Sequence, residues 1–455
     1  GLNAATSGDV VLVSAGTYTE NIIWPDVNGI KLISEGDSSN TIIDGGGTSS
    51  VIYINPSSAT IDTTTLIQGF KITNGGNISN GAGIFCNQAG ITLKNSVIKN
   101  NTASEKGGGI YISNNGRLNL YGCNIEANET PNYGGGIYSN GILNIRNSLI
   151  KNNISKYGGG IHSINQSEIY NTTIEGNVVS GWGATGAGGE FYGDNKFELV
   201  NVLKNKNNGN SYSSKGGGFA IYGSGSNKAI SLVNVEIVNN HSNQYGGGLY
   251  LQQELEIKIT DSKIINNTAK DGGGIYNTIN VDFEFDNTII ANNSCTSNGG
   301  GIFNDGSISG DVFSGISLVG NYAAGNGSAL YSTEDPILRK ITAFNNISSS
   351  ENGVFYTTKG LMEIDQSNIV YNGSGVFNYD NANLLNAKNN YWGDSSGPYH
   401  PSQNTSGKGD SVNAFVNVDP WLTAPNTDAP PIPAQNLQLT ASTATSASFS
   451  WDASK

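Results

Sequence analysis

The stretch Val281-Asp282-Phe283-Glu284-Phe285-Asp286 sets three carboxylates in strict alternation, and a strand sends alternate side chains to one face. Three acids on one face could take calcium, or they could simply be the solvated outside of a sheet. The alternation favours the second reading. No cofactor is expected, and calcium is the one ion retained as an alternative. Other reactive material is sparse: the arginines are Arg117, Arg146 and Arg339, and the histidines are His162, His241 and His400. No Asp-Asp pair offers the two carboxylates of a glycoside hydrolase, and no Gly-His-Gly or Arg-x-Lys triplet occurs. Arg339-Lys340 beside Glu334-Asp335 reads as a surface charge cluster. Cys86, Cys123 and Cys295 match no metal template and no disulfide framework, so buried free thiols are expected. No catalytic residue is assigned, and whether the chain is an enzyme stays open, leaning against.

What must position these groups is a repeat. Gly-Gly-Gly-Ile-Tyr at Gly107 returns as GGGIY at Gly134, GGGIH at Gly158, GGGF at Gly216, GGGLY at Gly246, GGGIY at Gly272 and GGGIF at Gly299. Weaker copies stand at Gly81, Ala187, Gly327 and Asn352. The step is about 24–30 residues, the range of solenoids and propellers. Between the glycine motifs lies an apolar–x–Asn–Ser/Thr unit followed by Ile–x–x–Asn, as in Leu93–Asn101, Ile145–Asn153, Ile169–Asn177, Ile259–Asn267 and Phe285–Asn293. Its alternation is the strand period. Three short strands and three Gly- or Asn-rich turns fit one coil of a parallel β-helix, whereas a propeller blade needs about 40 residues.

Stacked coils predict stacked residues. Ile110, Ile137 and Ile161 should pile up in a buried column. One asparagine column should run through Asn95, Asn147, Asn171, Asn201, Asn234 and Asn287. A second should run through Asn101, Asn128, Asn153, Asn177, Asn240, Asn267, Asn293 and Asn372, its amides satisfying one another and the turns. Several of these are N-x-Ser/Thr sequons, including Asn128, Asn153, Asn240, Asn346 and Asn372, with Asn100, Asn266 and Asn292 one residue earlier. An inward amide has no room for a glycan, so these are expected to be chance matches in an Asn-, Ser- and Thr-rich chain.

Two places qualify as candidate binding sites. The aromatic that follows the motif aliphatic recurs as Phe85, Tyr111, Tyr138, His162, Tyr250, Tyr276, Phe303 and Tyr331. Alternation sends this column outward, where it either stacks on sugar rings or packs on its neighbours. The second place is the irregular region 178–215. There the period stretches around Trp182, Glu190 replaces the usual aliphatic, and Lys206–Lys215 forms another insertion. Repeat insertions share a face and loops on rigid scaffolds carry function. This singles out Trp182, Glu190, Tyr192, Asp194, Glu198 and Tyr212, with Tyr111, Tyr138, Tyr250 and Tyr276 from the column.

Composition narrows the function classes. A net charge of −13 leaves no basic stripe for phosphates, so no nucleic acid is expected. No run of about 18 apolar residues marks a membrane span. With 62 glycines but only 11 prolines, the chain is not collagen.

The paired Gly-Gly-x-Ile and Ile-x-x-Asn signatures resemble the repeats of the polymorphic outer-membrane protein family, within the right-handed parallel β-helix (pectate-lyase-like) superfamily. Gly1–Ile22 looks like the opening, capped segment of secreted β-helix proteins, and Asn389–Leu422 like their terminal coil. The resemblance implies an all-β fold: a right-handed parallel β-helix solenoid of roughly a dozen or more coils over residues 1–424. Residues 425–436 read as a Pro-rich linker. Residues 437–455 are similar to the start of a fibronectin type III module, a truncated β-sandwich with Trp451 as its core tryptophan. It further implies an extracellular or cell-surface protein, a rigid structural or adhesive β-helix whose partners are polysaccharides or cell-surface glycans. The alternatives are a polysaccharide lyase or glycoside hydrolase with its site in the 178–215 loops, and a surface-layer or fibre subunit.

Overall fold

The structure, a computed structural model, describes residues 1–223, 228–278, 281–306, 312–350, 353–372, 374–433, 435–442 and 447–452. Up to Asn417 the strands fall into three walls, and each pairs in parallel with the equivalent strand one coil away. The first wall holds eleven strands, from Val10–Val13 to Val281–Asp286, and five more follow along the chain from Val312–Ser314 to Val416–Asn417. The second wall has fourteen, from Gly16–Thr19 to Asn368–Val370. The third has fifteen, from Ile22–Ile23 to Ser411–Val412. The sequence pattern implied three strands per coil. From Ile154 onward a fourth appears, only two residues long, and eight of these stack into a narrow corner sheet ending at Ile347–Ser348.

Register is residue over residue. Ile84, Ile110, Ile137 and Ile161 lie on one another in the third wall, all fully buried. Burying one such side chain is worth about 1.5–3 kcal/mol, and the core is a continuous column of them. The glycine triplet divides its work. Gly107 takes φ +61°, a left-handed conformation that glycine adopts without penalty. Gly108 and Gly109 are there for room. A Cβ on Gly108 would sit 2.6 Å from the carbonyl oxygen of Gly135, and one on Gly109 2.6 Å from that of Gly136.

The inner asparagine column is continuous and longer than the repeat pattern indicated, taking in Asn205, Asn321 and Asn346 as well. At Asn177, the side-chain nitrogen donates to Asn205 Oδ1 at 3.0 Å and to the Ile150 carbonyl at 3.0 Å. Its Oδ1 accepts from both the backbone N–H and the Nδ2 of Asn153, each at 3.0 Å. Every link repeats this arrangement, and the column ends on a carboxylate: Asp410 Oδ2 accepts from Asn372 N and Nδ2 at 2.9 and 2.8 Å. The sequon residues Asn128, Asn153, Asn240, Asn346 and Asn372 belong to this column and are buried. The outer asparagine column is interrupted. Asn95, Asn147, Asn171, Asn234 and Asn287 all take left-handed turn positions, but the equivalent position one coil before Asn234 is Leu199, at φ +55°. Asn201 lies two residues on, in a strand in register with Thr173 and Glu236.

All three cysteines are free and buried, and burial pushes Cys86 up to about 12 and Cys123 up to about 11. Asp282, Glu284 and Asp286 occupy the exposed positions of their strand. The proline-rich stretch is tied to the second wall over part of its length. Asn426 N–H donates to Asn368 Oδ1 at 2.8 Å, Asn368 Nδ2 donates back to the Asn426 carbonyl at 3.1 Å, and Ile432 is buried against Val370 and Tyr391. Gln435–Ser442 and Ala447–Asp452 form an antiparallel pair.

In the terminal coil His400 is fully buried. Its Nε2–H donates to the Val416 carbonyl at 3.0 Å, while Nδ1 accepts from the N–H groups of Ser402 and Gln403 at 3.0 and 2.8 Å. Both nitrogens are committed to the neutral ring, and desolvation holds its pKa below the ordinary 6.5.

Two predictions follow from this packing. Asn177→Ala strands two donors on Asn153 and removes the Nδ2 donor from the Ile150 carbonyl and Asn205 Oδ1, so equilibrium denaturation should show a loss of about 2–4 kcal/mol, with hydrogen-exchange protection falling first in the flanking coils. For His400, the unfolded ring takes up a proton before the folded one does as pH falls. Its stability contribution is therefore complete above about pH 6.5 and is lost as pH falls through the depressed folded value. Urea midpoints of the wild type should fall more steeply between about pH 7 and about pH 5 than those of His400→Gln. Parallel curves would refute this.

Candidate functional site

The outward column of the third wall is a stack of rings, interrupted only in the irregular region. From Tyr53 through Phe85, Tyr111, Tyr138 and His162, neighbouring centroids are 4.7, 5.1, 5.3 and 5.2 Å apart and the planes lie within 9° of parallel. Beyond the irregular region it resumes at Tyr250 and Tyr276, 5.6 Å apart, and continues to Phe377. The column does alternate with the buried isoleucines, so Tyr111 and Tyr138 lie on the outside of the wall. Their faces, however, are taken by one another. A second file, Tyr133, Tyr157 and Tyr245, also packs here: Tyr133 stands edge-on to Tyr138 and to His162, and Tyr245 lies against Tyr276. Tyr138, Tyr250 and Tyr276 are consequently buried.

The irregular region is where the stack changes residue. The sequence placed Glu190 at the aliphatic position. The register shows otherwise: Gly189 lies over Ile161, Glu190 over His162 and Phe191 over Ser163. Glu190 therefore stands in the aromatic column, and the ring of Phe191 fills the space where a Cβ on Gly189 would be. One coil later Ala220 occupies the same column. The stack survives by stepping two residues along the strand. Tyr192 lies 5.9 Å from His162 and 5.0 Å from Tyr222, and Tyr222 lies 6.0 Å from Tyr250. The Lys215 ammonium, over the rings of Tyr222 and Tyr250 at 5.8 and 4.7 Å, lies beside the gap at Ala220.

Glu190 is 3% exposed and His162 is 4% exposed, so the carboxylate needs partners to remain charged. His162 Nδ1 lies 3.1 Å from Glu190 Oε2, and the Tyr192 hydroxyl donates to Oε1 at 2.9 Å. Burial, then the Glu190 charge, holds the Tyr192 phenol well above its ordinary range, and Tyr222 is raised for the same two reasons. Burial lowers Lys215, opposed by attraction to Glu190.

The two insertions do share a face. Asn210 N–H donates to the Gly181 carbonyl at 3.4 Å and Gly183 N–H to Ser211 Oγ at 2.9 Å. Trp182 and Tyr212 are thereby presented from adjacent coils, 72% and 79% exposed. Lys270 Nζ lies 5.4 Å from the centroid of the Tyr212 ring.

Asp194 and Glu198 are on a different surface, the outside of the first wall. Asp194 Oδ1 accepts from Ala229 N–H at 3.0 Å and lines a cleft of about 440 Å³ with Glu168, Lys196, Lys258, Asp282 and Glu284. Glu198 pairs with Lys196 at 3.3 Å. Among the described residues no group of three or more His, Cys, Asp or Glu side chains converges into a metal cage, and no helix is long and apolar enough to cross a membrane.

The candidate residues thus fall into three places: Glu190 and Tyr192 in contact within the stack, Trp182 and Tyr212 together on the loop face, and Asp194 with Glu198 on the first wall. Sequence reading missed His162 and Lys215 as partners of Glu190, and Tyr222 as the ring that bridges the gap. Tyr192 and Tyr222 stand at the same offset from their glycine motifs, which was the available signal.

A family model described as a right handed beta helix region matches residues 28–203, and no curated protein matches the chain. The matched stretch ends just past the Glu190 coil, yet the same parallel register runs on to Asn417. The chain is a right-handed parallel β-helix.

Proposed function

We propose that this β-helix is an exported, rigid surface scaffold that contacts polysaccharide or cell-surface glycan through Trp182 and Tyr212. The observation that carries the reading is the exposure of two large aromatic side chains from neighbouring coils, on loops hydrogen-bonded to each other. Large rings held in water on an ordered loop mark contact surfaces, and an aromatic face stacks on the apolar face of a sugar while its polar edge stays wet. Coil-on-coil register makes the scaffold stiff, so the rings keep their spacing. The acidic net charge suits a solvated surface protein.

A second reading, a polysaccharide-cleaving enzyme, draws support from the first-wall cleft, where Asp194 and Glu168 are among the charged residues lining a groove of the size that binds small ligands. The two readings separate in one assay. Against a panel of neutral and acidic polysaccharides, with and without calcium, the scaffold reading expects retention in affinity electrophoresis and no new reducing or unsaturated ends. Trp182→Ala and Tyr212→Ala should each weaken retention about tenfold, or ~1.4 kcal/mol. Product release abolished by Asp194→Asn would establish the enzyme instead, and retention unchanged in both aromatic variants would dismiss the loop face.

A further inference from the structure

The Glu190 coil holds a buried phenol–carboxylate–imidazole chain that the scaffold role does not use. Between His162 and Phe303 the ring column consists of four consecutive tyrosines, Tyr192, Tyr222, Tyr250 and Tyr276, with centroids 5.0, 6.0 and 5.6 Å apart. Phenols are the electron-rich members of the column. Imidazole and phenyl rings bound the run at both ends, and Tyr245, 4.8 Å from Tyr276, is a further phenol in contact with it, so an electron vacancy is shared among these phenols.

Losing an electron makes a phenol a strong acid. The vacancy therefore settles where the hydroxyl proton already has a base within hydrogen-bond distance. Tyr192 has the best acceptor, a carboxylate oxygen at 2.9 Å. Tyr250 meets the amide oxygen of Gln252 at 2.9 Å, a far weaker base. Tyr276 reaches the Asp305 carboxylate, but at 3.3 Å. The other oxygen of Glu190 faces His162 Nδ1. An ionised carboxylate only accepts, which puts the Nδ1 proton on the ring and leaves Oε1 facing the phenol.

We propose that Tyr192, with Glu190 as its proton acceptor, is a proton-coupled oxidation site at which the tyrosine run yields one electron to an external one-electron oxidant, such as a high-valent metal complex. The step balances. The phenol loses one electron to the oxidant, which is reduced by one, and the O–H proton moves to Glu190 Oε1. The products are a neutral tyrosyl radical and a neutral carboxylic acid still hydrogen-bonded to His162. On reduction the proton returns. The site would act as a reversible sink for oxidising equivalents arriving at the third wall.

The test is flash-quench oxidation of the intact chain with photo-excited tris(bipyridyl)ruthenium and a cobalt(III) ammine acceptor, reading the tyrosyl radical by optical absorption and electron paramagnetic resonance. Wild type should form a long-lived radical more slowly in D2O than in H2O. Tyr192→Phe and Glu190→Gln should each shorten its lifetime about tenfold or more, since an amide accepts the proton several pKa units less readily than a carboxylate. Tyr331→Phe, beyond Phe303 and outside the run, should leave lifetime and isotope effect unchanged. Gln is isosteric at position 190, so circular dichroism of that variant should match the wild type. The wild-type isotope effect reads the proton transfer independently of any variant. Equal rates in H2O and D2O, or an undiminished lifetime in Glu190→Gln, would overturn the proposal.

Discussion

The structure depends on one constraint: each coil must lie on the next in exact backbone register, because every amide between walls seeks its partner one coil away. In a globular domain a turn can satisfy its polar groups with water. In a stacked solenoid the turns are themselves stacked, and a buried turn N–H without an acceptor costs about 1–3 kcal/mol. The asparagine column answers this at one corner. Each amide donates once along the axis and once to a strand carbonyl of the preceding coil, and accepts both the backbone and the side-chain N–H of the asparagine before it. It works only if asparagine recurs at the same phase, so the register of the whole protein is written into it. Asp410 shows the rule at its limit. Where no further asparagine follows, a carboxylate, which accepts without needing an acceptor of its own, closes the column.

The same constraint decides what the outside can look like. Once coils are in register, any outward position becomes a file of identical or similar groups. Opposite charges alternate along some files, as at Lys99, Glu126 and Lys151, and such exposed pairs stabilise little. Rings make the other stable file, since offset stacking at about 5 Å matches the coil spacing. A ring in such a file spends its faces on its neighbours. Exposed ring faces are therefore left to the loops, where Trp182 and Tyr212 escape the file because insertions lift them off the wall. The stacked wall and the exposed loop surface are built from the same residue type, and the difference between them is whether register holds.

Much of this was legible because repetition in sequence is repetition in space. The Ile110, Ile137 and Ile161 column, the free buried cysteines and the solvated acids of Val281–Asp286 all follow from period and alternation alone. The failures share one cause. Where a motif slips, alignment by residue type breaks down before structural register does. Glu190 was assigned to the aliphatic position because Ala187-Gly188-Gly189 imitates the glycine triplet, yet the left-handed turn residue is Gly186, one place earlier. Asn201 was assigned to the outer asparagine column by type, while Leu199 holds that turn. The file of Tyr133, Tyr157 and Tyr245 stands one residue before the glycine motif, but other coils put Asn80, Lys106, Thr185, Lys215 or Asp271 at that position, so residue type does not draw attention to it. Nor does composition reveal that a proline-rich segment will lie down on the second wall.

The slip at Glu190 shows what register costs when it is kept under strain of sequence. Two adjacent coils lack a ring at the expected position. Replacing a ring by an unpaired buried carboxylate would be among the more damaging changes a core can suffer. Here the loss is distributed. Tyr192 and Tyr222 carry the stack past the gap from two residues along, and His162 and the Tyr192 hydroxyl hold the two carboxylate oxygens. Lys215 supplies countercharge while its ammonium lies over the neighbouring rings. A carboxylate so held is also fixed in orientation and protected from water, and those two conditions turn an accommodated irregularity into a group with defined chemistry.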